Sequence, residues 1–136
     1  YGVASTVLGN GTVQSAGPEA GLQERAHQAE ILRYVLPAVR DIRRNGASAV
    51  DLCALAAGRV DAYFERGVRP WDYAAGGLIA AEAGAQVAGL AGAAPSSTFL
   101  LAAPPELFGP LEALLLAAGA GEESGLADPV ASPALP

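Results

Sequence analysis

Apolar positions along this chain recur in two periods, and the switches between them mark out its elements. Leu22, Ala26, Ala29, Leu32 and Leu36 follow an i, i+3/i+4 stripe and predict an amphipathic helix over 22–39. Residues 39–44 alternate and predict a short strand ending at Asn45-Gly46. A second helix is expected over 48–59, with Ala49, Leu52, Cys53 and Ala56 on one face and Gly58 as its stop. Residues 60–65 read as a strand. Pro70 then opens a helix over 71–83 that Gly84 ends. Residues 86–90 and 98–102 predict two further strands, and Pro105 and Glu106 open a last helix over 105–118. Ahead of all this, Asn10-Gly11 between short apolar runs signals a hairpin pairing 4–8 with 12–14. Strands alternating with helices give a layered α/β domain with a largely buried sheet over 22–118. Residues 1–21 form an N-terminal segment without a clear pattern. Residues 119–136, with three acids and no base among Gly, Pro and Ser, form an acidic tail expected to be disordered.

Composition narrows the chemistry. At 136 residues, 51% hydrophobic and 6% aromatic, the chain can build one core from Ala, Val, Leu and Ile, but not a stacking platform for single-stranded nucleic acid. The net charge is −6 and all eight basic residues are Arg, a poor match for phosphate backbones, so no nucleic-acid partner is expected. Cys53 alone provides no disulfide framework and no multi-cysteine zinc site. No apolar run approaches a membrane span. The start at Tyr1 lacks a signal-peptide pattern and an initiating Met, so a fragment or processed chain is expected. A Lys-free, Ala/Gly/Arg-rich composition fits a GC-rich bacterial genome and a cytoplasmic enzyme.

The densest polar cluster is Glu65-Arg66-Gly67-Val68-Arg69-Pro70-Trp71-Asp72, between a strand and a helix. Glu65 at a strand end and Asp72 in a first helical turn can face one crevice at the sheet edge, where open α/β sheets bind ligands. The helix dipole keeps Asp72 ionised, as a hard oxygen ligand requires. The alternative makes Asp72 a helix-start acid and Glu65 a surface carboxylate. A second candidate is Asn45-Gly46-Ala47-Ser48-Ala49, whose small residues and helix-start amides suit an anion, or else form a tight turn capped by Ser48. Ser48 has no His or Asp nearby in sequence to make it a nucleophile. His27 reads as solvated, Cys53 as a small core hydrophobe, Asp51 and Asp61 as surface acids. Arg40, Arg43 and Arg44 could face an anionic substrate, though arginines on an edge strand ordinarily form just a solvated face.

The string Trp71-Asp72-Tyr73-Ala74-Ala75-Gly76-Gly77-Leu78-Ile79, closing in Glu82-Ala83-Gly84-Ala85, resembles the C-terminal signature of the inositol monophosphatase family. Two upstream blocks, Gly46 to Cys53 and Ala57 to Glu65, are similar to that family in residues and spacing. The match is strong over about 39–90. It implies the C-terminal half of that fold, a layered α/β sandwich with a mixed, largely buried sheet. It also implies Mg2+-dependent hydrolysis of a small phosphorylated polyol such as inositol monophosphate. The family's Trp-Asp aspartate, here Asp72, binds catalytic magnesium. Its strand-end glutamate, here Glu65, contacts substrate hydroxyls, and its small-residue turn, here Gly46, Ala47 and Ser48, contacts substrate. Family members tend to form homodimers, carried over as an expectation.

The family's N-terminal half carries a Glu-Glu pair and an Asp-Pro-Ile/Leu-Asp-Gly-Thr segment that supply most metal ligands and activate the water. Neither precedes the matched blocks here; in the tail Glu122-Glu123 stands alone and Asp128-Pro129 is followed by Val130-Ala131. The expected catalytic set is therefore absent from this chain, and these 136 residues alone are expected to be inactive. Ala47 also stands where the family often has a hydroxyl residue. The alternatives are a stand-alone, non-catalytic α/β binding or assembly module, or a relative of the histidinol-phosphate phosphatases.

Overall fold

The structure is a computed structural model and describes residues 13–122, with side chains from residue 23 onward. The first helix, α1, spans Val13–Val35 and runs into a 3-10 turn at Leu36–Ala38. Helix α2 (Ser48–Ala56), strand β1 (Tyr63–Glu65), helix α3 (Pro70–Glu82), strands β2 (Gln86–Ala88) and β3 (Leu100–Ala103), and helix α4 (Pro105–Ala117) follow. The strand and helix order from residue 48 onward is the predicted one. Val13 and Gln14 are helical, not part of a hairpin, and residues 1–12 lie outside the described region, as do 123–136 of the tail.

The sheet order is β1-β3-β2, with β3 antiparallel to both neighbours. The mixed sheet expected above is thus antiparallel among the described residues. The reason is topological. Helix α3 crosses from β1 to β2 and leaves them parallel but one strand apart, and β3 inserts between them, a split βαβ arrangement.

Period-2 alternation divides the core into two layers. Phe64, Leu101 and Ala103 face α1 and α4, where they pack with Ile31, Val35, Phe99, Phe108, Leu111 and Leu115. Phe64 and Phe99 stack with ring centroids 6.2 Å apart. Tyr63, Leu100 and Ala102 face the other way, onto Leu52, Leu55, Val68 and Ala80. Helices α2 and α3 meet closely because Gly76 has no side chain: a Cβ there would lie 2.9 Å from Leu52 Cβ and 3.3 Å from the Ala49 backbone.

Two helices are rotated from the faces their apolar residues predict. Helix α1 buries Gln28, Ile31 and Val35 and exposes Ala26 and Ala29, and Leu36 in the 3-10 turn is exposed too. Helix α2 buries Ser48, Asp51, Leu52 and Leu55, and leaves Cys53 exposed instead of in the core. In both cases a polar residue takes an interior position because it finds a partner there. Gln28 donates to Glu24 at 3.0 Å and Ser48 donates to Glu65 at 2.8 Å. His27 is half-buried, not solvated, and its Nε2 is sealed from solvent without a hydrogen-bond partner.

The strand expected over 39–44 does not form; only Ile42 makes a single bridge. The Asp41 carboxylate accepts the Ile42 N–H at 2.8 Å and also pairs with Arg43, and such local bonds compete with a ladder. No described helix is long and apolar enough to cross a membrane.

Candidate active site around Glu65

The segment before α2 turns sharply. Gly46 sits at φ +81°, a conformation open to glycine, and a Cβ there would meet Arg44 Nη1 at 2.9 Å. Ala47, the N-cap residue, is extended and offers no capping side chain. The first backbone amides of α2 therefore have no intrahelical acceptor and no side-chain cap. Asn45 Nδ2 donates to Asp51 Oδ1, tying the residue before the turn to the first turn of the helix. Asp51 is 1% exposed and its Oδ2 has no hydrogen-bond partner, so the surface acid expected from sequence is an interior carboxylate.

Beneath this turn lies the end of β1. Residues i and i+2 of a strand share a face, so Tyr63 and Glu65 both point toward α2. Glu65 is 7% exposed, which rules out a surface carboxylate. Ser48 Oγ donates to Glu65 Oε2 at 2.8 Å, and the fully buried Tyr63 hydroxyl donates to the same oxygen. Two donors fill the two lone pairs of Oε2, and neither bond engages Oε1.

Burial pushes the Glu65 carboxyl above its ordinary value, against the hydrogen bonds from Tyr63 and Ser48 and the Arg44 charge. The Asp51 charge adds to the rise. Burial, then the Glu65 carboxylate, drives the Tyr63 hydroxyl far above the usual tyrosine range, so it remains a donor.

Asp72 stands apart. It is exposed in the first turn of α3, beside a Trp71 that is 76% exposed, and its Oδ2 accepts the Arg69 N–H at 2.9 Å. Its local role is the helix-start acid weighed above, with one oxygen outside that bond. Among the described residues no hydrogen bond or ion pair joins Asp72 to the Glu65 cluster, and no three His, Cys, Asp or Glu gather into a metal-binding group. Asp72 fits magnesium as one hard oxygen ligand and does not make a site by itself.

The structure thus brings together Ser48 and Glu65, with Gly46 and Ala47 in the adjoining turn. It keeps Asn45 of the second candidate beside them and adds Tyr63, Asp51 and Arg44, which the sequence reading did not place there. For Tyr63 a signal existed: it lies two residues before Glu65 on one strand. For Asp51 hydropathy gives the opposite signal, because a carboxylate scores as exposed.

The model of the inositol monophosphatase family matches residues 13–124. The chain belongs to the inositol monophosphatase family. It is similar to inositol-1-monophosphatase SuhB of Mycobacterium tuberculosis H37Rv, 65% identical over 63 residues, 46% of this chain and 22% of that protein. It is also similar to Nus factor SuhB of Xylella fastidiosa, 37% identical over 123 residues, 84% of this chain and 45% of that protein. The solved structure of Mycobacterium tuberculosis SuhB superposes with a TM-score of 0.70 at 44% identity, covering 89% of this chain and 43% of that one. The chain spans less than half the length of these relatives. Within the family's fold, Glu65 closes the strand that precedes the Trp71-Asp72 helix.

Proposed function

We propose that this chain forms the substrate side of a Mg2+-dependent phosphatase for a small phosphorylated polyol, with inositol monophosphate as the reference substrate. The observation that carries the reading is the buried Glu65 carboxylate, whose Oε2 takes both protein donors. A carboxylate only accepts, so a ligand group at Oε1 has to be a donor such as a hydroxyl; a phosphate oxygen would be repelled. Membership of a family named for inositol monophosphatase supports the same class.

In this reading Glu65 binds and orients substrate hydroxyls, and the turn Gly46-Ala47-Ser48 contacts substrate through its backbone. Asp72 would hold magnesium as one carboxylate ligand. When bound, that ion polarises the phosphoryl group and lowers the pKa of water. The remaining ligands belong to the family's Glu-Glu and Asp-Pro-Ile/Leu-Asp-Gly-Thr motifs, neither of which precedes the matched blocks in this sequence. No side chain of this cluster needs to act as a nucleophile.

The test is phosphate release from inositol monophosphate by a protein joining this chain to a family N-terminal half. Turnover that needs Mg2+ and falls at least a hundredfold in Asp72→Ala supports the reading. The 136-residue chain alone should release phosphate no faster than its Asp72→Ala variant. A second reading, a role other than hydrolysis, draws on the relatives named Nus factor SuhB, one of which aligns with 84% of this chain. A folded, magnesium-loaded protein with no turnover on any phosphomonoester favours that second reading. The acidic composition, with a net charge of −6, weighs against a nucleic-acid partner in that role.

A further inference from the structure

Tyr63 has no place in the reading above, yet it is among the largest fully buried side chains, and its hydroxyl is spent on Glu65. A buried hydroxyl needs a partner, and the surrounding layer of Leu52, Leu55, Val68, Ala80, Leu100 and Ala102 is apolar. The strand geometry makes Glu65 that partner, since both side chains leave the same face of β1. Ser48 reaches the same oxygen from the start of α2, so the carboxylate is gripped by one donor from the sheet and one from the helix.

We propose that Tyr63 is a positioning residue that sets substrate selectivity: by holding Glu65 through Oε2, it presents Oε1 to a polyol hydroxyl. The inference rests on the phosphatase reading and deepens it. The phenol touches no substrate. Its effect passes through one carboxylate oxygen, so it falls on substrates that offer a hydroxyl there and largely spares those that do not. A residue that merely filled the core would weaken all substrates alike. Tyr63→Phe keeps the ring and the apolar contacts and removes only the donor, which suits a buried position.

The experiment compares two substrates in a protein joining this chain to a family N-terminal half. One is inositol monophosphate and the other is para-nitrophenyl phosphate, which carries no polyol hydroxyl. Tyr63→Phe is expected to raise KM for inositol monophosphate about tenfold, with kcat changed far less, as for loss of a hydrogen bond to a charged acceptor. The KM shift for the aryl phosphate is expected to be several-fold smaller. Ser48→Ala removes the other donor and is expected to shift selectivity in the same direction. It carries the test if Tyr63→Phe fails to fold, as judged by circular dichroism. Adding Tyr63→Phe to Glu65→Gln should bring little further loss on inositol monophosphate. Equal shifts on both substrates, or no shift on either, overturn the proposal and leave the phosphatase reading standing. A wild-type protein that hydrolyses neither substrate overturns the reading, and the proposal falls with it.

Discussion

Ser48 at the start of α2 and Glu65 at the end of β1 lie 17 residues apart and share a buried hydrogen bond of 2.8 Å. That bond connects the small-residue turn to the sheet and fixes where the carboxylate sits.

The Glu65 carboxyl lies above its ordinary value of 4.5 because it is buried. In the window from 4.5 up to its raised value, the folded state binds more protons than the unfolded state. The contribution of Glu65 is therefore most favourable below 4.5 and is lost as pH rises through the folded value. Glu65→Gln keeps an oxygen that can accept from Ser48 and Tyr63 and never ionises. Thermal melts should show a higher Tm than wild type at pH 7.5, with the gain shrinking as pH falls toward 4.5. A gain that grows on acidification would contradict the assigned direction.

Asn45 is exposed, but its amide donates to the interior carboxylate of Asp51. Asn45→Ala should destabilise the fold by about 1–3 kcal/mol, far more than an ordinary surface substitution, because it strips a buried carboxylate of a donor. Urea denaturation reads this directly, and a change within experimental error would show that the link has no energetic weight.

Arg66 joins three parts of the chain. Its Nε lies 3.2 Å from Glu24 Oε1, with both side chains 12% exposed. Its Nη1 donates to the carbonyls of Ala120 at 3.2 Å and Glu122 at 3.1 Å. Arg66→Met should cost about 2–3 kcal/mol, and adding Glu24→Leu should restore part of that loss by removing the stranded charge. A double variant weaker than Arg66→Met alone would contradict this.

Gly76 and Gly77 should respond oppositely to alanine. At Gly76 the new methyl meets Leu52 Cβ at 2.9 Å, so about 1–3 kcal/mol of stability is lost. At Gly77, also inside α3, the nearest atom is Val87 Cγ1 at 3.7 Å, an ordinary contact, and alanine should add about 0.5–1 kcal/mol. Equal effects at the two positions would show that the α2–α3 approach is looser than described.

The elements after residue 48 were legible because Gly58, Pro70, Gly84 and Pro105 punctuate them. The helix faces were not, because Gln28, Ser48 and Asp51 are polar residues that go inside to meet partners contributed by the fold. The 39–44 strand failed for a related reason, since alternation cannot register that Asp41 bonds its own neighbours. Ser48 and Glu65 could be named from sequence, but their bond and the Tyr63 support depend on tertiary contact. Asp72 was named too, and its visible bond is the helix cap to Arg69.

In the proposed function, Glu65 receives a substrate hydroxyl. The most direct measurement is a crystal structure of a protein joining this chain to a family N-terminal half, soaked with inositol monophosphate and Mg2+. A ring hydroxyl is expected within hydrogen-bond distance of Glu65 Oε1, about 2.5–3.0 Å for an O–H···O bond, with Ser48 and Tyr63 still on Oε2. Inositol monophosphate bound with no hydroxyl at Glu65, or with its phosphate there, would contradict it.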